Sequence, residues 1–288
     1  MTIVVESVST ATFAGNPIVI TKPTGLAVGD LMIASVVAHQ DGVGDTTMTT
    51  PSGWTLIASN GITNSGAAIF AKIATSGDVA ASDFSFGNSS AAFMAGSILR
   101  VTGANIVSLK SAIYDSTGGD GTNPSFTSNI TPDFNGALLV MLVLGYGSDN
   151  TGTIGTYIVN GTNPTWTESL DTTRNSGSAD PIAGSAYALQ AAAAAITSFG
   201  ATFSQSKASQ TGILAVFNPI TDVTATPDPV EVIVTIPDVA SVIGHVNLLP
   251  DPVPVVIEVA APTVSTPASD WENVDKSAAG AIVNVSKT

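Results

Sequence analysis

The 288-residue chain contains no cysteine, which excludes a disulfide framework and any thiolate metal site, so stability has to come from packing or association. Histidine is nearly absent too: only His39 and His245 occur. A Ser-His-Asp triad needs a base held by a carboxylate and aimed at a serine. Asp41 and Asp45 lie near His39, but no Gly-x-Ser-x-Gly elbow accompanies them, and His39 reads as a bland loop or satisfied polar residue. Charge is scarce, at 10% of residues, and one-sided: eight Lys and Arg stand against 22 Asp and Glu, for a net charge of −14. Nucleic-acid binding relies largely on Lys and Arg neutralising phosphates, so that class is set aside. There is no phosphate loop and no dinucleotide fingerprint. The longest fully apolar run, Ala137 to Leu144, is too short to span a bilayer, and no membrane insertion is expected. The segment Met1 to Glu6 has neither a basic n-region nor a long apolar h-region, so no signal peptide is expected.

What the chain does have is Ala, Ser, Thr, Val and 27 glycines, a profile of strands and turns. Residues 2 to 218 give apolar or alternating runs separated by clusters such as Gly15-Asn16-Pro17, Asp41 to Asp45 and Asp115 to Asn123, which read as strands and loops. These runs occur twice in the same order. Leu31 to Val37 answers to Leu138 to Leu144, Pro51-Ser52-Gly53-Trp54-Thr55 to Asn163-Pro164-Thr165-Trp166-Thr167, and Ala68 to Ala71 to Ser185 to Ala188. Phe84 to Phe86 answers to Phe199 to Phe203, and Gly96 to Val101 to Gly212 to Phe217. Leu31 to Val37 and Leu138 to Leu144 are apolar on both faces, as central strands covered on each side would be. Asp83-Phe84-Ser85-Phe86 alternates, which predicts one face in solvent. The alanine run from Gln190 to Ile196 suits a short helix or a tightly packed connection. The fold expected is all-β: one large jelly-roll-like antiparallel β-sandwich over 1–218, with an internal pseudo-repeat, followed by an extended β/Pro-rich C-terminal arm.

That arm begins with a compositional shift. Residues 219–266 are rich in Val and Pro, and Pro227-Asp228-Pro229-Val230-Glu231-Val232-Ile233-Val234 recurs as Pro250-Asp251-Pro252-Val253-Pro254-Val255-Val256-Ile257. Each Pro-Asp-Pro stops a helix and starts an extended β-branched run. An isolated strand of this kind does not hold itself together, so the repeats need a partner surface, either the first domain or strands of other copies, and Pro227, Val230, Val232, Val234, Pro250, Val253, Val255 and Ile257 are assigned to assembly. The alternative is a disordered Pro-rich linker, against which the density of Val and Ile argues. A tail at 267–288 carries a third repeat, in which Trp271-Glu272-Asn273-Val274-Asp275-Lys276-Ser277 is echoed by Ile282-Val283-Asn284-Val285-Ser286-Lys287-Thr288, and Trp271 joins the assembly set.

Candidate chemistry is sparse. Paired carboxylates hydrolyse glycans at a defined separation, and Asp115 with Asp120, or Glu168 with Asp171, are the candidates; acidic residues in Gly- and Thr-rich segments are far more often turn formers. Asp115 and Asp120 in a glycine-rich run also offer oxygen to calcium, yet they fit no EF-hand spacing, and no metal is assigned. Trp54 and Trp166 occupy matched positions. As exposed aromatics they would stack on sugar rings; as duplicated core plugs they would close each sandwich end, and the matched placement favours the second reading.

The strings Pro23-Thr24-Gly25-Leu26, Gly29 to Ala34, Thr50 to Ile57 and Phe70 to Ala74, in that order, resemble a β-rich module of tailed-bacteriophage virion proteins, over about residues 15–218. The Val/Pro repeats and the Trp-x-Asn-Val-x-Lys-Ser tail resemble segments of phage tail and fibre proteins, although Ile282 stands where the second copy would have tryptophan. The resemblance implies a non-enzymatic structural component, whether capsid decoration or tail, baseplate or fibre protein, bound in the virion after assembly in the host cytoplasm. It implies no cofactor. Its partners would be other virion proteins, further copies of the chain with a trimer favoured, and a host-surface glycan. A carbohydrate-binding adhesin module and a glycan-degrading tailspike are the alternatives.

Overall fold

The computed structural model describes residues 2–220 except 41–46, 63, 90–92, 149–151, 161–163 and 176–179, and the side chains of 111–114, 116–120 and 148 also lie outside the described set. These residues belong to one compact unit, Met1–Asp222. The first half of it holds β1 (Val4–Ala14), β2 (Ile18–Thr21), β3 (Leu31–His39), β4 (Met48–Thr49), β5 (Thr55–Ile62), β6 (Ser65–Ile73), the one-turn helix α1 (Ser76–Ala80), β7 (Asp83–Asn88) and β8 (Phe93–Thr102). The second holds β9 (Leu109–Gly121), β10 (Ser125–Ile130), β11 (Ala137–Ser148), β12 (Ile154–Val159), β13 (Thr167–Thr173), β14 (Asp180–Gln190), β15 (Ile196–Phe203) and β16 (Lys207–Phe217).

Strand pairing among the described residues is antiparallel, and the two halves repeat one topology. A five-stranded sheet β1-β8-β3-β6-β5 faces a three-stranded sheet β2-β7-β4; its counterpart β9-β16-β11-β14-β13 faces β10-β15-β12. The orders 1-8-3-6 and 2-7-4 are those of an eight-stranded jelly roll, with the fifth strand paired to the sixth. Each half is thus a complete jelly roll rather than half of one large two-sheet sandwich. The physical reason lies in the central strands. All nine residues of β3 are buried, because Met32, Ala34, Val36 and Ala38 face the small sheet while Leu31, Ile33 and Val37 face the other jelly roll. In β11, Leu139, Met141 and Val143 face the small sheet, and Leu138, Val140, Leu142 and Leu144 face the first half. The result is four layers, with three apolar cores between them.

Register makes the duplication firm. Leu31 pairs with Val101 and Ile73, and Leu138 pairs with Phe217 and Leu189. Even the irregularities recur: a bulge falls between Leu56 and Ala58 where β5 meets β6, and another between Glu168 and Leu170 where β13 meets β14. One part of the sequence matching needs correction. Ala71 pairs with Ile33 and Tyr187 with Val140, so Ala71 corresponds to Tyr187, and Phe70 to Ala186. A slip of one residue exchanges faces: Phe70 packs beneath the small sheet, while Tyr187 borders the core between jelly rolls.

The contact between jelly rolls carries polar pins as well as apolar surface. Ser185 Oγ lies 2.6 Å from Ser169 Oγ and 3.0 Å from Ser97 Oγ of the other half. Asn60 donates to Thr211 Oγ1 at 2.8 Å and Asn64 to the Tyr146 hydroxyl at 2.9 Å. The Arg174 guanidinium sits 3.5 Å above the Phe93 ring, a cation–π contact across the same boundary.

Three further expectations change. Asp115 to Asn123 is not a loop through its length, because β9 continues to Gly121 and pairs with β16 as far as Lys207; the ladder supplied by a neighbour outweighs the low strand propensity of glycine. Residues 191–195 form neither a helix nor a tightly packed connection but an exposed one. Glu168 and Asp171 stand on β13 rather than in a turn. The alternation of Asp83 to Phe86 holds, with Phe84 and Phe86 inward. The arm and tail residues Pro227, Val230, Val232, Val234, Pro250, Val253, Val255, Ile257 and Trp271 lie outside the described residues.

Candidate functional site

The two matched tryptophans meet different fates. Trp54 is 8% exposed and sits edge-on to Phe84 and Phe86, with ring centroids 5.7 Å and 5.1 Å away. It closes the end of the first jelly roll as a core plug. Trp166 has no such cage. With Phe84 matched to Phe199, Ala201 stands where Phe86 does, and one ring of the cage is missing. Trp166 instead tilts beside Tyr157, centroids 5.9 Å apart, and lines an open pocket of about 450 Å³ together with Tyr157, Pro164, Thr165 and Glu168.

A bulge in β12 shapes this pocket. Gly155 pairs with Thr202 and Ile158 with Gly200, so β12 spends one residue more than β15 over the same span. Thr156 takes up the excess at φ +49°, a left-handed conformation that is costly for a β-branched residue and marks a built feature. The bulge puts both Ile154 and Tyr157 inward, although they are three apart and strict alternation would separate them. Tyr157 is 5% exposed, and its hydroxyl lies over Gly184, leaving no space there for a Cβ. Neither the Tyr157 hydroxyl nor the buried Trp166 Nε1 has a hydrogen-bond partner among the described residues. Buried polar atoms without partners are rare and call for a reason.

Electrostatics follow from β13. The bulge between Glu168 and Leu170 buries Ser169 and Leu170 in succession and leaves Glu168 and Asp171 outward. Asp171 Oδ1 accepts the Ile154 backbone N–H at 3.1 Å, tying β13 to β12. Partial burial, and then the charge of Asp171, raise the pKa of Glu168 above the ordinary carboxylate value. Burial also raises Asp171, opposed by its bond from Ile154. Burial, followed by the charges of Glu168 and Asp171, holds the Tyr157 phenol well above its ordinary value, so the hydroxyl stays a donor. The pocket therefore offers an indole face, a phenol and an acceptor carboxylate. At the equivalent bulge the first jelly roll has Leu56 in place of Glu168.

The other candidates separate. His39 is buried at the end of β3, with Nδ1 3.1 Å from Ser65 Oγ and its ring 5.0 Å from that of Tyr146; it is a packed polar residue at the boundary between jelly rolls. Asp115 Oδ2 accepts the Thr127 backbone N–H at 2.9 Å, while the Asp120 side chain lies outside the described residues. Among the described residues no group of three or more His, Asp or Glu side chains could hold a metal ion. Sequence reading missed Tyr157 altogether, since its inward turn depends on a bulge that no local residue type announces. No family model, curated protein or solved structure matches the chain.

Proposed function

We propose that the chain is a non-enzymatic structural component of a bacteriophage particle, acting by protein–protein assembly and attachment to the host surface. The observation that carries this reading is the tandem of complete jelly rolls joined through a continuous apolar core. Jelly rolls are building blocks of viral capsids and of glycan-recognising modules alike, and a four-layer block whose halves share one apolar core suits a spacer or platform. The Val/Pro repeats at Pro227 to Val234 and Pro250 to Ile257 read from sequence as extended segments that would need a partner surface, which supports docking on other virion proteins or closing a homo-oligomer, with a trimer favoured. Mass spectrometry of density-purified particles from a strain carrying the coding sequence tests the location: stoichiometric presence is expected, and its absence from particles refutes the reading. Light scattering of the full chain beside a chain ending at Phe217 tests the arm, with a higher oligomer expected for the full chain alone.

A further inference from the structure

We infer that the pocket formed by Trp166, Tyr157 and Glu168 in the second jelly roll binds a single uncharged pyranose unit of a glycan. The inference deepens the attachment part of the reading above and does not depend on where in a particle the chain resides. A pyranose has an apolar C–H face and a rim of hydroxyls that both donate and accept. Trp166 lines one side of the pocket and supplies an aromatic face for the first. Its Nε1–H and the Tyr157 hydroxyl belong to residues that line the pocket and are buried without partners among the described residues, so a ligand oxygen that reached the pocket floor would satisfy them. Glu168 lines the same pocket and has no donor to offer when ionised, so it accepts from a sugar hydroxyl. The volume, about 450 Å³, falls at the small end of ligand pockets.

Charge selects within the class of sugars. Burial and the charge of the neighbouring Asp171 already raise the cost of ionising Glu168 at this edge of β13, and the chain carries a net charge of −14. A uronic acid, sialic acid or phosphorylated sugar would add a third negative charge to a site that holds no cation among its lining residues. Among the described residues of the first jelly roll the matched position is closed, because Trp54 is caged by Phe84 and Phe86 and Leu56 replaces the carboxylate.

The test is titration of the full chain with neutral oligosaccharides of glucose, galactose and N-acetylglucosamine, and with oligogalacturonate as the anionic comparison, by calorimetry and tryptophan emission. Saturable binding of at least one neutral series is expected, with no saturation by oligogalacturonate. Trp166→Ala should weaken it at least about tenfold, and Glu168→Gln and Tyr157→Phe each severalfold, while Trp54→Phe leaves it unchanged. If Trp166→Ala fails to fold, Trp166→Phe takes its place, keeping a ring while removing Nε1–H, and weaker binding is again expected. No saturation by any neutral series, equal binding of the anionic series, or affinity indifferent to Trp166 overturns the inference. Sustained release of reducing ends overturns it in favour of hydrolysis. Because the assay uses purified protein alone, its failure leaves particle location standing, and absence from particles leaves the sugar site standing.

Discussion

Trp54 and Trp166 sit at the same point of the repeat, so truncating each to alanine compares one position in two environments. Trp54→Ala removes a nearly buried ring and both of its edge contacts, to Phe84 and Phe86. Each aromatic pair contributes about 0.5–1.5 kcal/mol, and the vacated volume is walled by strands that cannot collapse into it. The total expected is about 3–5 kcal/mol, the usual range for Trp or Phe to Ala in a core. Trp166→Ala removes a half-buried ring facing an open pocket. It also removes a buried N–H that has no partner among the described residues, and eliminating such a group recovers about 1–3 kcal/mol of desolvation cost. Lost packing and relieved desolvation nearly cancel, leaving a net cost of about 1 kcal/mol or less.

Urea and thermal denaturation of the full chain, followed by far-UV circular dichroism at a fixed protein concentration, measure both variants against the parent. For a domain of this size 1 kcal/mol moves the midpoint by about 2–4 °C, so Trp54→Ala should fall by roughly 6–20 °C and Trp166→Ala by a few degrees at most. Equal losses for the two variants would refute the assignment of plug and pocket residue. A loss under about 1 kcal/mol for Trp54→Ala would refute the cage.

Gly212→Ala is expected to cost about 2 kcal/mol or more, since its Cβ would stand 2.5 Å from two ring carbons of Phe126; calorimetry of the variant checks this, and a neutral result would show that the small sheet can shift. Asp78 lowers its pKa against the opposing effect of burial, through bonds from Lys72 at 2.6 Å and from the N-cap residue Thr75. The stability it contributes is present above its unfolded value near 3.8 and is lost as pH falls through the lower folded value. Asp78→Asn should therefore cost about 2 kcal/mol at pH 7, and the gap to the parent should close in acid, as read from urea midpoints across pH. Glu168 behaves in the opposite sense: its raised folded pKa means that stability falls as pH climbs from below 4.5 through the folded value. Glu168→Gln is expected to be slightly more stable than the parent at pH 7, by under about 1 kcal/mol because solvent screens the charge, and equal to it near pH 3. Replacing Ser185 alone with alanine should cost about 1–2 kcal/mol, while replacing Ser97, Ser169 and Ser185 together should cost less than the sum of the three single changes, because no hydroxyl is then left buried alone; thermal midpoints of the four variants decide.

How much of this was legible in the chain depended on what each feature rests on. The all-β class came from turn spacing and alternation, both local, and the double apolar faces of Leu31 to Val37 and Leu138 to Leu144 already demanded cover on each side. What the second cover was, another copy of the same module, could not be read from a strand's own residues. Aromatic identity sets Phe70 against Tyr187, whereas face sets Ala71 against Tyr187, and only the pairing of Ala71 with Ile33 and Tyr187 with Val140 decides the face. Acidic residues in a Thr-rich segment read as turn formers, and the outward positions of Glu168 and Asp171, three apart, break the period of two that would mark a strand. The bulge beside them causes that break, as the bulge at Thr156 does for Tyr157.

The two copies differ in how completely they close around the matched tryptophan. In the first, Phe84 and Phe86 cage the tryptophan, and an exposed Leu56 stands where the second copy has a carboxylate. In the second, the matched positions hold Ala201 and Glu168, Thr156 takes a strained conformation, and two polar atoms stay buried without partners among the described residues. Each of these departures lowers the stability of the second jelly roll taken by itself. They are tolerated because its large sheet shares a core with the first, where Leu138, Val140, Leu142, Leu144 and Phe217 pack among Leu31, Ile33, Val37, Ile69 and Leu99. Strain of this kind persists where the surroundings over-determine the local conformation, and it gathers at sites of function. A closed copy that stabilises an open one gives the duplication a physical reason, and it places the open pocket on the half where binding would cost the fold least.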